Sequence, residues 1–269
     1  GSRPIHWFGV MLALGFLAGL AHWTWQGRGT HRTADYCSDM FMVIVLAGVI
    51  GARVTYVIAN FRDFAADPLE IVMIQKGGLV YYGGLIGACL GVILFGRRRH
   101  DDGLDLADFA VTAVPLGHAF GRLGCFLNGC CYGSLTHHPF GVHYPVRSIP
   151  WLDQVHAGLI TQDAPASLAV HPVQLYEAAV NLALFGLLAL LYRRRHTRGA
   201  IIALYLLLYP AWRFTVEFLR GDPRLRCTNF SVAQWLSLAL MLTGALLMLH
   251  VRRLSRKQTA TGAAASAPG

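Results

Sequence analysis

Seven stretches of the chain are apolar for long enough to cross a bilayer core, which takes roughly 20 residues of helix. Three of them, 4–27, 77–96 and 227–251, contain no Asp, Glu, Lys or Arg. Four more, at about 39–60, about 105–130, about 172–192 and about 200–219, carry charge well inside them: Arg53, Arg122, Glu177, and Arg213 with Glu217. The pattern predicts an all-α integral membrane protein with seven transmembrane helices in one domain, residues 1–257. Residues 67–76 are short and amphipathic and read as an interfacial element. Residues 133–170 carry Pro, His, Ser and Gly without a long apolar run, so they form the one sizeable loop outside the membrane. Past Lys257 the chain is rich in Ala, Ser, Thr and Gly, and 258–269 is expected to be a disordered tail. The chain opens on Gly1-Ser2, and 4–27 lacks a cleavage-site pattern, so it reads as a retained helix.

Composition agrees with the spans. Hydrophobic residues make up 55% and charged residues 14%, against about a quarter charged in soluble domains. Disorder, collagen and coiled coil are excluded. A net charge of +9 raises nucleic acid as a partner, but the position of the charge removes it. Thirteen of the 23 basic residues fall in 27–38, 97–103, 193–198 and 252–257; seven lie on the opposite side, and Arg53, Arg122 and Arg213 lie within spans. The bias places the N-terminus and 133–170 outside and the C-terminus in the cytoplasm.

A charge at the bilayer centre costs about 2.5–3.5 kcal/mol, so Arg53, Arg122, Glu177, Arg213 and Glu217 cost on the order of 10 kcal/mol together. Arg213 and Glu217, four apart, can pair on one helix face. Arg220, seven from Arg213, falls on the same face, and that surplus of positive charge suits an anion. Pro172 fits a first helical position with His171 as the cap. Gln174, Glu177 and Asn181 then form a polar stripe that suits a hydrophilic cavity or interhelical hydrogen bonds. The densest segment is 121–133, with His118 one turn before Arg122 and glycines at 117, 121, 124, 129 and 133. Such glycines permit close packing or a broken helix around a ligand.

Of six cysteines, Cys37 falls on the cytoplasmic side and Cys89 in mid-span. Cys125, Cys130 and Cys131 do not have a zinc spacing; tight packing, a reactive thiol and an outer-face disulfide remain open readings. His137, His138 and His143 read as loop residues in water. No metal is expected.

Gly121-Arg122-Leu123-Gly124, Phe126 and Asn128-Gly129 together resemble the signature of the prolipoprotein diacylglyceryl transferase family. In order, His6-Trp7-Phe8-Gly9 is similar to that family's HWYG and Gly51-Ala52-Arg53 to its GxR. Tyr82-Gly83-Gly84-Leu85-Ile86-Gly87 is similar to HGGLIG, His171-Pro172 through Glu177 to HPxQLYE, and Arg213-Phe214 through Glu217-Phe218 to RFxxEFxR. Phe8, Tyr82, Cys125 and Cys130 stand where the family has tyrosine, histidine, asparagine and glutamate.

The resemblance implies seven spans, a small periplasmic head at 133–170 and a place in the bacterial inner membrane. It implies transfer of the diacylglyceryl group of phosphatidylglycerol to a lipobox cysteine, without a cofactor and by a monomer. The lipid would be held by Arg122, Arg213, Asn128 and Arg53, with Gln174, Glu177, Glu217 and Arg220 as a supporting network. Three residues are candidates for the base that takes the thiol proton: Tyr82, His118 and His171. The rival reading is a paralogue that binds phospholipid headgroups or serves another acceptor. A transporter would call for an inverted repeat, and none is visible in the sequence.

Overall fold

The computed structural model describes residues 7–66, 68–74, 77–194, 197–222, 226–227 and 229–265, without the side chains of 63, 65, 66, 226, 227 and 256–265. Ten α-helices are found among them: α1 Trp7–Gln26, α2 Ala34–Ala59, α3 Phe61–Ala66, α4 Tyr81–Arg99, α5 Gly103–Val111, α6 Val114–Asn128, α7 Ile149–His156, α8 Val173–Arg193, α9 Ala200–Val216 and α10 Val232–Ala265. Six segments are long and apolar enough to cross a membrane: α1, α2, α5 with α6, α8, α9 with the turn after it, and α10. The remaining apolar stretch forms α4, whose glycines at 83, 84, 87, 91 and 96 and terminal Arg97–Arg99 make it less apolar than those six.

The chain divides into two compact units, Leu20–Ala110 and Gly1–Gly19 with Val111–Gly269. In the first, α2 starts at Thr33, whose hydroxyl accepts from Tyr36 N. It packs along α4 through small residues: a β-carbon at Gly83 would strike Gly51 O, and one at Gly87 would strike Ala47 O. Close backbone approach of this kind drives helix association where lipid removes the hydrophobic force. Buried Arg32 pairs with Asp105 at 2.5 Å, and Tyr36 donates to Asp101 at 2.5 Å.

In the second unit α6 packs on α8, and α9 lies between α8 and α10. The first half of α1 rests on α6 where glycines leave room, Gly15 against Phe120 and Gly124 against Phe8 and Met11. Pro210 lies inside α9, which stays helical to Val216. Residues 133–170 are folded: α7 is anchored by Trp151, which donates to Ala164 O at 3.0 Å. Short bridges join Leu135 and Val142 to Val170 over a small core of Tyr132, Tyr144 and Val170.

The expectation that His171 caps its helix is corrected. Helix α8 begins at Val173 with Pro172 at the cap position and no side-chain cap. His171 stays extended because Gly133 N donates to its carbonyl and its own N–H donates to Ser134 O, both at 3.0 Å. Helix α10 continues past Lys257 to Ala265, as the high helix propensity of the alanines there allows; 266–269 lie outside the described residues. Within the segment expected to be interfacial, Pro68–Val72 form a 3-10 turn with Leu69 and Val72 exposed; Asp67, Gln75 and Lys76 lie outside the described residues.

Candidate active site

Residues from α6, α8 and the segment that follows α9 meet around one buried carboxylate. Nε of Arg122 lies 2.6 Å from Oε2 of Glu177, and NH1 of Arg220 lies 3.6 Å from Oε1. Glu177 has no exposed surface, and Arg220 almost none. Neither Glu177 oxygen accepts an aligned hydrogen bond, so the two guanidinium groups hold it by charge. The polar stripe on α8 is buried throughout. Gln174 Nε2 donates to Cys130 O at 2.9 Å and contacts Tyr144 Oη at 3.1 Å; Asn181 Nδ2 donates to Glu177 O at 2.8 Å.

Arg213 pairs with Glu217 at 2.5 Å, as their spacing predicts. Arg220 does not share their face. Helix α9 ends at Val216, a 3-10 turn Glu217–Leu219 follows, and Arg220 is extended at φ −74°, ψ 137°. The seven-residue helical register therefore fails. Arg220 instead grips Asp222 with Nε and NH2, at 2.8 and 2.9 Å. Arg122, Arg213 and Arg220 are thus matched by Glu177, Glu217 and Asp222, and the expected surplus of positive charge is absent. The Asp222 carboxylate, with burial opposing, holds Arg220 above the ordinary arginine range.

His118 lies within electrostatic reach of both Arg122 and Arg213, and its ring centroid is 5.1 Å from that of Tyr209. His171 turns Nδ1 toward Tyr176 Oη at 3.5 Å. Asn128 is the exposed last residue of α6. Sequence reasoning missed Asp222, Tyr144 and Tyr209. A carboxylate two residues from Arg220 was the available signal for the first; the tyrosines carry no motif.

Tyr82 and Arg53 belong to the other unit. Tyr82 is half-exposed near the start of α4, edge-on to Tyr81 at 5.7 Å. Arg53 is buried and donates to backbone: Nε to Ile71 O at 2.8 Å, NH1 to Gly77 O at 2.8 Å and Gly78 O at 3.0 Å, and NH2 to Glu70 O. Four of its five N–H groups therefore hold the carbonyls of Glu70, Ile71, Gly77 and Gly78. His6 lies outside the described residues.

The end of α6 gathers the cysteines. Gly129 adopts φ +70°, Gly129 N donates to Phe126 O, and Cys130 N donates to Cys125 O; this is the left-handed Gly cap that ends many helices. It folds Cys130 back over Cys125, and Cys131 follows at φ +63°. The three sulfurs lie within 4.8 Å of one another, an arrangement the sequence spacing does not suggest. All three thiols are free, as are buried Cys37 and exposed Cys89. The Cys130 thiol donates to Cys125 O at 3.7 Å.

Comparison with known proteins agrees with these motifs. The family model described as prolipoprotein diacylglyceryl transferase matches residues 1–250. A phosphatidylglycerol–prolipoprotein diacylglyceryl transferase of Clostridium tetani is 32% identical over 240 residues, covering 89% of this chain and 90% of its own. The Coxiella burnetii protein of the same name is 34% identical over 252 residues, covering 91% and 90%. That of Burkholderia orbicola is 34% identical over 279 aligned residues, covering 94% and 92%. The chain belongs to the prolipoprotein diacylglyceryl transferase family.

Proposed function

We propose that this protein transfers the diacylglyceryl group of phosphatidylglycerol to the lipobox cysteine thiol of a preprolipoprotein, releasing glycerol-1-phosphate and leaving a thioether. It is a multi-pass protein of the bacterial inner membrane. The observation that carries the reading is the pair of mostly buried arginines, Arg122 on α6 and Arg213 on α9, both within electrostatic reach of His118.

In the reaction the acceptor sulfur attacks the glyceryl carbon, the carbon–oxygen bond to phosphate breaks, and the phosphate leaves with the electron pair. Negative charge grows on the phosphate, and a guanidinium that stays ionised when buried stabilises it. Arg122 meets Glu177 through Nε without an aligned hydrogen bond, so an incoming phosphate takes the guanidinium fork while Glu177 keeps Arg220. Arg213 binds the same phosphate from α9, and Asn128 meets the headgroup at the end of α6. Arg53 acts at one remove, by holding 70–78. The acceptor reacts as thiolate, and its proton goes to His118 or Tyr82; His171 orders the start of α8.

Helix α4 is the seventh span. The N-terminus and the head 133–170 face the periplasm, so lipid and lipobox peptide arrive from the outer leaflet, and a monomer suffices. The test is thioether formation between phosphatidylglycerol vesicles and a lipobox peptide by the purified full chain, with labelling of cysteines placed in 133–170 to report the side. No thioether product, or labelling from the cytoplasmic side only, contradicts the reading.

A further inference from the structure

We propose that Cys125, Cys130 and Cys131 form a binding site for one zinc ion, held by three thiolates with a fourth position open to an exogenous ligand. The site is built by the backbone. The glycine cap at the end of α6 stacks Cys130 on Cys125, and Cys131 is held in the left-handed region that β-carbons avoid. Both flanks are pinned: Gln174 Nε2 donates to Cys130 O, and Gly133 N donates to His171 O. Cysteines that merely fill space turn their sulfurs toward apolar neighbours. These turn toward one another, with all three sulfurs within 4.8 Å.

Zinc–sulfur bonds of about 2.3 Å set tetrahedral sulfurs about 3.8 Å apart, so side-chain rotations of less than about 1 Å per sulfur close the site around the ion. Three thiolates and one divalent cation leave a single negative charge. Three protein ligands with an exchangeable fourth is the pattern of open zinc sites, whereas closed structural sites use four. The proposal does not depend on the transfer reaction, and its readout is metal rather than turnover.

The full chain, purified in detergent under reducing conditions and loaded with zinc, should retain about one zinc per chain after dialysis. Cobalt loading should give sulfur-to-metal charge-transfer bands. Cys125→Ser and Cys131→Ser should each lose at least about nine-tenths of the bound metal and these bands, as expected on losing one of three ligands. Cys89→Ser should keep both, and circular dichroism checks that each variant is folded. Zinc should also protect the three thiols of the unmutated chain from alkylation, a readout that needs no variant. Zinc retention no higher than in Cys125→Ser, absence of the charge-transfer bands, or a disulfide between two of the three in the purified protein would overturn the proposal.

Discussion

Nε of Arg122 lies 2.6 Å from a carboxylate oxygen of Glu177 that has no exposed surface. The pair joins α6 to α8, and Arg220 shares the same carboxylate. Removing Glu177 therefore strands the mostly buried Arg122, while Arg220 keeps Asp222. Glu177→Ala should cost about 3–5 kcal/mol of stability, the usual loss when one partner of a buried pair is deleted. The measurement is the thermal midpoint of the detergent-solubilised chain; an unchanged midpoint would show that the pair contributes nothing.

Arg53 offers a sharper choice between two roles. Its hydrogen bonds to the carbonyls of Ile71, Gly77 and Gly78 mean that Arg53→Ala should loosen 70–78. Limited proteolysis should then cut that segment several-fold faster, with little change in KM for phosphatidylglycerol. A raised KM with unchanged cleavage would place the guanidinium on the lipid instead.

Glycines divide into those that must remain and those that need not. Gly87→Val would drive side-chain atoms into the backbone of α2 at Ala47 and should destabilise by about 1–3 kcal/mol or more, the range for overpacking. Gly186 in α8 has open space where a β-carbon would go. Gly186→Ala should be neutral or stabilise by up to about 1 kcal/mol, the helix-propensity difference. Thermal melts of the two variants test the packing directly; equal shifts would contradict it.

The base is addressed by a pair of variants. If His118 or Tyr82 takes the thiol proton, thioether formation should fall by roughly 10²–10⁴ in the variant that loses it, the usual weight of a general base. His118→Ala and Tyr82→Phe are to be measured separately and together. A double variant that turns over at the parental rate would remove both residues from that role.

Much of this was legible in the sequence, for identifiable reasons. Apolar runs near 20 residues leave few alternatives to a membrane helix, so six of the spans could be read directly. The pairing of Arg213 with Glu217 followed from their spacing, because α9 remains helical to Val216. Arg220 was misread because helical register was carried one turn past the end of the helix, and Asp222 was overlooked as its partner. The cysteine cluster was hidden for a similar reason. Ligand spacings assume known local geometry, and the glycine cap at Gly129 folds Cys130 over Cys125 in a way that spacing alone does not encode.

The central claim is that Arg122 and Arg213 bind the phosphate of phosphatidylglycerol as it leaves. The most direct measurement is the rate of diacylglyceryl transfer to a lipobox peptide by reconstituted Arg122→Lys and Arg213→Ala proteins whose melting is otherwise normal. Lysine keeps the charge but loses the two-pronged hydrogen bonding. Each variant should therefore lose on the order of 10²–10³ in rate, as expected for removing a donor to developing charge. Near-parental turnover in either one would contradict the claim.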